Sequence, residues 1–103
     1  MAAEPDFVVE QERGISLAEF FRVLPRVVIG YDHHVEDRRI TLWPEGDRSH
    51  RIEIELSEER KRELSAIFTL PAITIHLAFF GYTQGGFDAF MEHFNLRYLR
   101  GGG

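Results

Sequence analysis

The chain has 103 residues, 44% hydrophobic and 28% charged, a composition suited to one globular domain with one core. It contains no cysteine, which excludes disulfide staples, thiol nucleophiles and cysteine-ligated zinc. A formal net charge of −5 opposes non-specific binding to nucleic acid or to anionic lipid.

Residues 1–6 are small and acidic and read as a disordered N-terminus, unlike the basic and then apolar start of a signal peptide. Residues 7–11, F-V-V-E-Q, suit a short edge strand, and Gly14 breaks it. A helix follows. Ser16 is placed as N-cap with Glu19 three residues on, the spacing of a capping box, and Ile15 with Phe20 forms a hydrophobic staple. Leu17, Phe20, Phe21 and Leu24 share one face. Pro25 lacks a backbone donor and crowds the Phe21 carbonyl, so the helix should end or kink near Leu24. Residues 31–38 are polar and read as a connection.

Two strands follow around the turn-rich P-E-G-D-R-S-H. Residues 39–43 alternate with Ile40 and Leu42 on one side, and residues 51–56 alternate Ile52, Ile54 and Leu56 against Arg51, Glu53 and Glu55. Ser57 then suits an N-cap with Glu58 and Glu59 in the first turn, Glu58 and Arg62 form an i,i+4 pair, and Leu64, Ile67 and Phe68 give an inner face. A second helix is predicted, ended by Pro71. Residues 73–80 form the best strand, apolar on both faces. The apolar stretch 73–82 is about half a bilayer span. Past Gly85 and Gly86, Phe87, Phe90, Met91 and Phe94 recur at helical spacing, with Asn95 as C-cap.

This order predicts an α+β fold: a single-domain two-layer sandwich over residues 7–99, ferredoxin-like βαββαβ with an extra C-terminal helix, followed by a flexible glycine tail at 100–103. The alternative is a β-grasp core with residues 96–99 as its last strand. With helices on one sheet face, alternation leaves Arg39, Thr41, Trp43, Arg51, Glu53, Glu55, Thr74, His76 and Phe80 on the other. Trp43 and Phe80 are large to leave in water. The third helix could cover them, or a second copy could.

Catalytic patterns are missing. The acidic loop D-H-H-V-E-D offers His33, His34 and Glu36 as the nearest approach to a metal set, but adjacent histidines in an extended segment point opposite ways, so no metal is assigned. His76 reads as a satisfied polar group in a strand. Ser49 and His50 are neighbours in a turn, without a nucleophile-elbow motif. Glu53 and Glu55 alternate with isoleucines as a solvated face does. Gly85 and Gly86 precede a helix and could hold an anion or small molecule, yet no P-loop lysine or G-x-G-x-x-G spacing accompanies them. An RNA-recognition sheet would need central-strand aromatics where R-I-E-I-E-L shows glutamates.

The expectation is a soluble, cytoplasmic, non-enzymatic interaction or regulatory module, with no cofactor, no nucleic acid and no membrane. It would work through an aromatic surface of Trp43, His76, Phe80, Tyr82, Phe87 and Phe90, as a homodimer or with a protein partner. A second reading rests on the end of the chain. Leu99, Arg100, Gly101 and Gly102 resemble the tail of ubiquitin, which implies a modifier or sulfur carrier activated at its terminal glycine. Gly103 departs from that pattern and would require trimming.

Overall fold

A computed structural model describes residues 4–99. The elements run β1 (Phe7–Arg13), α1 (Leu17–Val27), β2 (Tyr31–Glu36), β3 (Arg39–Pro44), β4 (Arg51–Leu56), β5 (Arg60–Glu63), β6 (Thr69–Phe80) and α2 (Gln84–Leu99). The main sheet is antiparallel throughout in the order β1-β6-β4-β3-β2, and β5 pairs with the start of β6.

The ferredoxin-like prediction is therefore corrected: the second helix does not exist. Residues 57–63 continue β4 into β5, and residues 64–68 turn back into a twelve-residue β6. Leu64, Ile67 and Phe68, the intended inner helix face, lie in this turn. A helix of this length is marginal in water and needs a surface to pack on. The covered face of the sheet is already occupied by α1 and α2, whereas a β-branched strand beginning at Thr69 offers the same residues a ladder next door. Local hydrogen bonds close the turn: Leu64 N–H donates to the Phe68 carbonyl at 2.9 Å, and Phe68 N–H donates to the Ser65 hydroxyl at 3.2 Å.

Ser57 caps no helix. Its N–H donates to the Thr74 carbonyl at 3.0 Å, and its hydroxyl accepts from the Thr74 N–H at 2.8 Å, a bond a ladder carbonyl would ordinarily take. Leu56 pairs with Ile75 and Arg60 with Ala72, so three residues, 57–59, face two on β6, which is a β-bulge. The bulge lets the Glu59 carboxylate reach the first turn of α1, where it accepts from the Leu17 N–H at 2.8 Å.

Three other elements differ from expectation. Residues 31–36 form edge strand β2 rather than a connection, closed onto β3 by a two-residue turn in which Asp37 takes a positive φ of 58°. The first helix continues past Pro25 to Val27, because Leu24 and Val27 bury completely enough to offset the lost backbone bond. α2 runs through Asn95 to Leu99, so residues 96–99 are helical and no β-grasp strand forms. Asn95 ties α2 to β1 instead, accepting from Gln11 at 2.9 Å and Arg13 at 2.8 Å.

The N-cap holds as the sequence implies: the Ser16 hydroxyl accepts from the Glu19 N–H at 3.0 Å. Both helices lie on one sheet face. Ile40, Leu42, Ile52, Ile54, Ile73, Ile75, Leu77 and Phe79 are fully buried beneath them. Phe20 stacks on Tyr98 at 4.8 Å between the two helices, and the Tyr98 hydroxyl donates to the Phe20 carbonyl at 2.9 Å. No helix among the described residues is long and apolar enough to cross a membrane.

Candidate functional site

The structure divides the expected aromatic surface. Phe87 and Phe90 turn to the covered side, with ring centroids 4.8 Å and 5.6 Å from Phe79. α2 thus joins α1 on the core, and among the described residues no helix covers the opposite face. Trp43, His76 and Phe80 stand half-buried on that open face, as alternation requires. Arginines roof the two large rings: the Arg51 guanidinium lies 4.0 Å from the Phe80 centroid and Arg48 lies 4.2 Å from that of Trp43. Ion pairs from Arg51 to Glu53 (2.7 Å) and Arg39 to Glu55 (3.1 Å) cross the same surface. Cation–π contacts and a charge lattice thus keep this face wet.

His33 and His34 project to opposite faces of β2, with Glu36 on the side of His34. Among the described residues no three ligand-type side chains gather into a metal site. Gly101, Gly102 and Gly103 lie outside the described residues.

Two regions missed by the sequence reading stand out. The first is the β5–β6 arm. Arg13 of β1 pairs with Ile73, so the strands before Ile73 run on as a two-stranded ribbon beyond the body of the sheet. At its tip Leu64, Ile67, Phe68 and Leu70 are 59%, 84%, 64% and 42% exposed. Its outer strand reads R-K-R-E and holds the only lysine of the chain, Lys61. Arg60 and Arg62 reach the Glu12 carboxylate of β1 at 2.7 Å and 3.8 Å and brace the ribbon against the body. The signal was present in the sequence: the same apolar spacing serves a helix face or the tip of a hairpin.

The second is a cleft of about 500 Å³ at the opposite end of β6, between the β3–β4 loop and the first turns of α2. The Tyr31 and Tyr82 phenols are hydrogen-bonded to each other there. Burial pushes both phenols above their ordinary values, and the neighbouring Tyr31 adds to the rise of Tyr82. On the loop, His50 Nδ1 lies 3.1 Å from the Asp47 carboxylate and 2.8 Å from the Ser49 hydroxyl. Hydrogen bonds from the Ser49 hydroxyl and N–H hold Asp47 below its ordinary value. Ser49 and Asp47 both sit at Nδ1, so this is not the arrangement of a catalytic triad, whose nucleophile needs the other ring nitrogen. Gly81 makes the corner possible: its φ is +80°, and a Cβ there would lie 2.6 Å from the Ser49 carbonyl oxygen. Gly86, but not Gly85, lines the cleft.

No protein-family model matches the chain, and no curated protein or solved structure matches it either.

Proposed function

We propose that this chain is a small interaction module that engages a partner protein through the β5–β6 arm. One observation carries the reading: four large apolar side chains are held in water at the end of a braced ribbon. Fully burying one such side chain is worth about 1.5–3 kcal/mol, so leaving four exposed forgoes stability that a partner can recover.

The occupant is an extended, acidic and apolar segment of another protein. β5 pairs only with β6, so its outer edge presents N–H and C=O groups to an added strand. Arg60, Lys61 and Arg62 outnumber the carboxylates of Glu12 and Glu63 beside them, so that edge keeps a net positive charge to complement carboxylates, in a chain whose overall charge is negative. A second copy fits less well. Two β5 strands about a two-fold axis centred on Lys61 would bring R-K-R against R-K-R. A register centred between Lys61 and Arg62 pairs Arg60 with Glu63 but still sets Lys61 against Arg62 twice, like charges that are destabilising across a ladder. The four tip side chains offer roughly 400–500 Å² per protomer, against about 800 Å² per partner in a stable interface.

The test uses a display library of ten-residue peptides alternating Asp or Glu with Val, Ile, Leu or Phe, and a matched library with Lys for the acids. Selected acidic peptides should bind with micromolar affinity by fluorescence anisotropy. They should shift the β5 amides in NMR spectra and lose at least about tenfold in affinity to the Ile67→Ser/Phe68→Ser double variant, a hot-spot effect. Equal selection of lysine peptides, or binding indifferent to that variant, overturns the reading. So does a dimer at micromolar concentration that the same variant abolishes.

A further inference from the structure

We infer that the cleft at the far end of β6 is a second, independent site, which takes a neutral planar aromatic compound carrying both a hydrogen-bond donor and an acceptor. The cleft lies within the size range of small-ligand sites. Its walls are ring faces and edges: Tyr31 meets Phe90 edge-on at 5.9 Å, and Tyr82 meets His50 edge-on at 5.6 Å. A flat aromatic body suits such walls better than a branched aliphatic one.

The polar groups define the rest of the ligand. Of two phenol hydroxyls that share one hydrogen bond, one keeps its proton free, and that O–H can donate to a ligand acceptor such as a carbonyl oxygen. At His50 the partners Asp47 and Ser49 both occupy Nδ1. An Nδ1–H donated to the Asp47 carboxylate leaves Nε2 as an acceptor for a ligand O–H or N–H. No protein hydrogen bond to Nε2 occurs among the described residues. An anionic ligand is disfavoured, because the Asp47 carboxylate stays ionised beside the imidazole. Gly86 belongs to the same construction: a Cβ there would come within 3.3 Å of the Tyr82 ring and push it across the opening.

The probe is 4-hydroxyacetophenone, with 4-methoxyacetophenone as the control that lacks a donor. Both are titrated into the full chain and followed by amide NMR shifts. The hydroxy compound should bind with a Kd of about 1 mM, typical of a ligand of this size, and shift Tyr31, His50 and Ala89 but not the arm. The methoxy compound should bind at least about fivefold more weakly. His50→Phe should remove that difference while keeping the residual affinity. Ala89→Trp, an exposed position on the lip, should fill the cleft and abolish binding with an otherwise unchanged spectrum. Equal binding of the two compounds to the unaltered protein, no shift at about 5 mM probe, five times the expected Kd, or binding that survives Ala89→Trp each overturns the inference.

Discussion

The two ends of β6 are one strand with two fates. Residues 73–80 run between β1 and β4, with Ile73, Ile75, Leu77 and Phe79 fully buried under the helices. Residues 69–72 have β5 beside them, and there Leu70 faces water while Ala72, next to the body, is buried. The presence of large apolar side chains does not separate the two ends, since Leu77 and Phe79 lie at one and Leu70, with Phe68 just before it, at the other. Neighbours do. Burial belongs to the surface a residue meets, so a large apolar side chain is core at one end of the strand and exposed at the other.

The sharpest way to break this comparison is to truncate one phenylalanine from each end. Phe79→Ala should cost about 3–5 kcal/mol in urea unfolding, while Phe68→Ala should stay within about 0.5 kcal/mol. Comparable losses would show that the arm is part of the cooperative core. Next in size is Tyr98→Phe, which removes the hydroxyl that donates to the Phe20 carbonyl and should cost about 0.5–1.5 kcal/mol.

That variant also carries a pH signature. Burial holds the Tyr98 phenol above its ordinary value of 10. Above that pH the folded state keeps a proton the unfolded chain has lost, so stability is fully present below pH 10 and falls as pH rises. Tyr98→Phe should flatten this alkaline slope in unfolding measured between neutral pH and the alkaline limit.

Smaller effects test the links between the ends. Ser16→Ala removes the α1 cap and should cost about 1 kcal/mol in the same assay. Glu12→Gln cuts the exposed braces to Arg60 and Arg62. It should change global stability by less than about 0.5 kcal/mol. It should nevertheless speed amide exchange in β5, where opening is local. Exchange of β5 as slow as that of residues 73–79 would count against a separately opening arm.

Much of the body was legible in the sequence. The alternation at Ile40, Leu42, Ile52 and Ile54, the Ser16–Glu19 pair and the spacing of Phe87, Phe90 and Phe94 each follow from one local periodicity. The failures share a cause. β2 is an edge strand of polar residues, so no buried face imposes a period on it. In residues 57–68 the local signals were real and favoured a helix, but α1 and α2 had taken the face it would need. Of the cleft, the sequence marks only Gly86, Tyr82 and Phe90 as binding residues; Tyr31 and His50 join them only because β2, the β3–β4 loop and the end of β6 reach the same corner of the sheet.

The bulge at residues 57–59 bears on how this chain can change. On β4 the even-numbered residues Ile52, Ile54 and Leu56 face inward. Past the extra residue the phase is reversed, so Arg60 and Arg62 stand on the open face and meet Glu12. Loss of a single codon at Glu58 would restore the regular ladder. Both arginines would still stand opposite Ala72 and Leu70 and so keep their face, while Glu59 would become an ordinary ladder residue opposite Ile73 and lose the bulge that aims it at the start of α1. The strands of the body would keep their registers. One in-frame deletion at this joint would thus leave both faces of the arm as they are and remove only the bulge, a tolerance that the same deletion within β5 itself would not share.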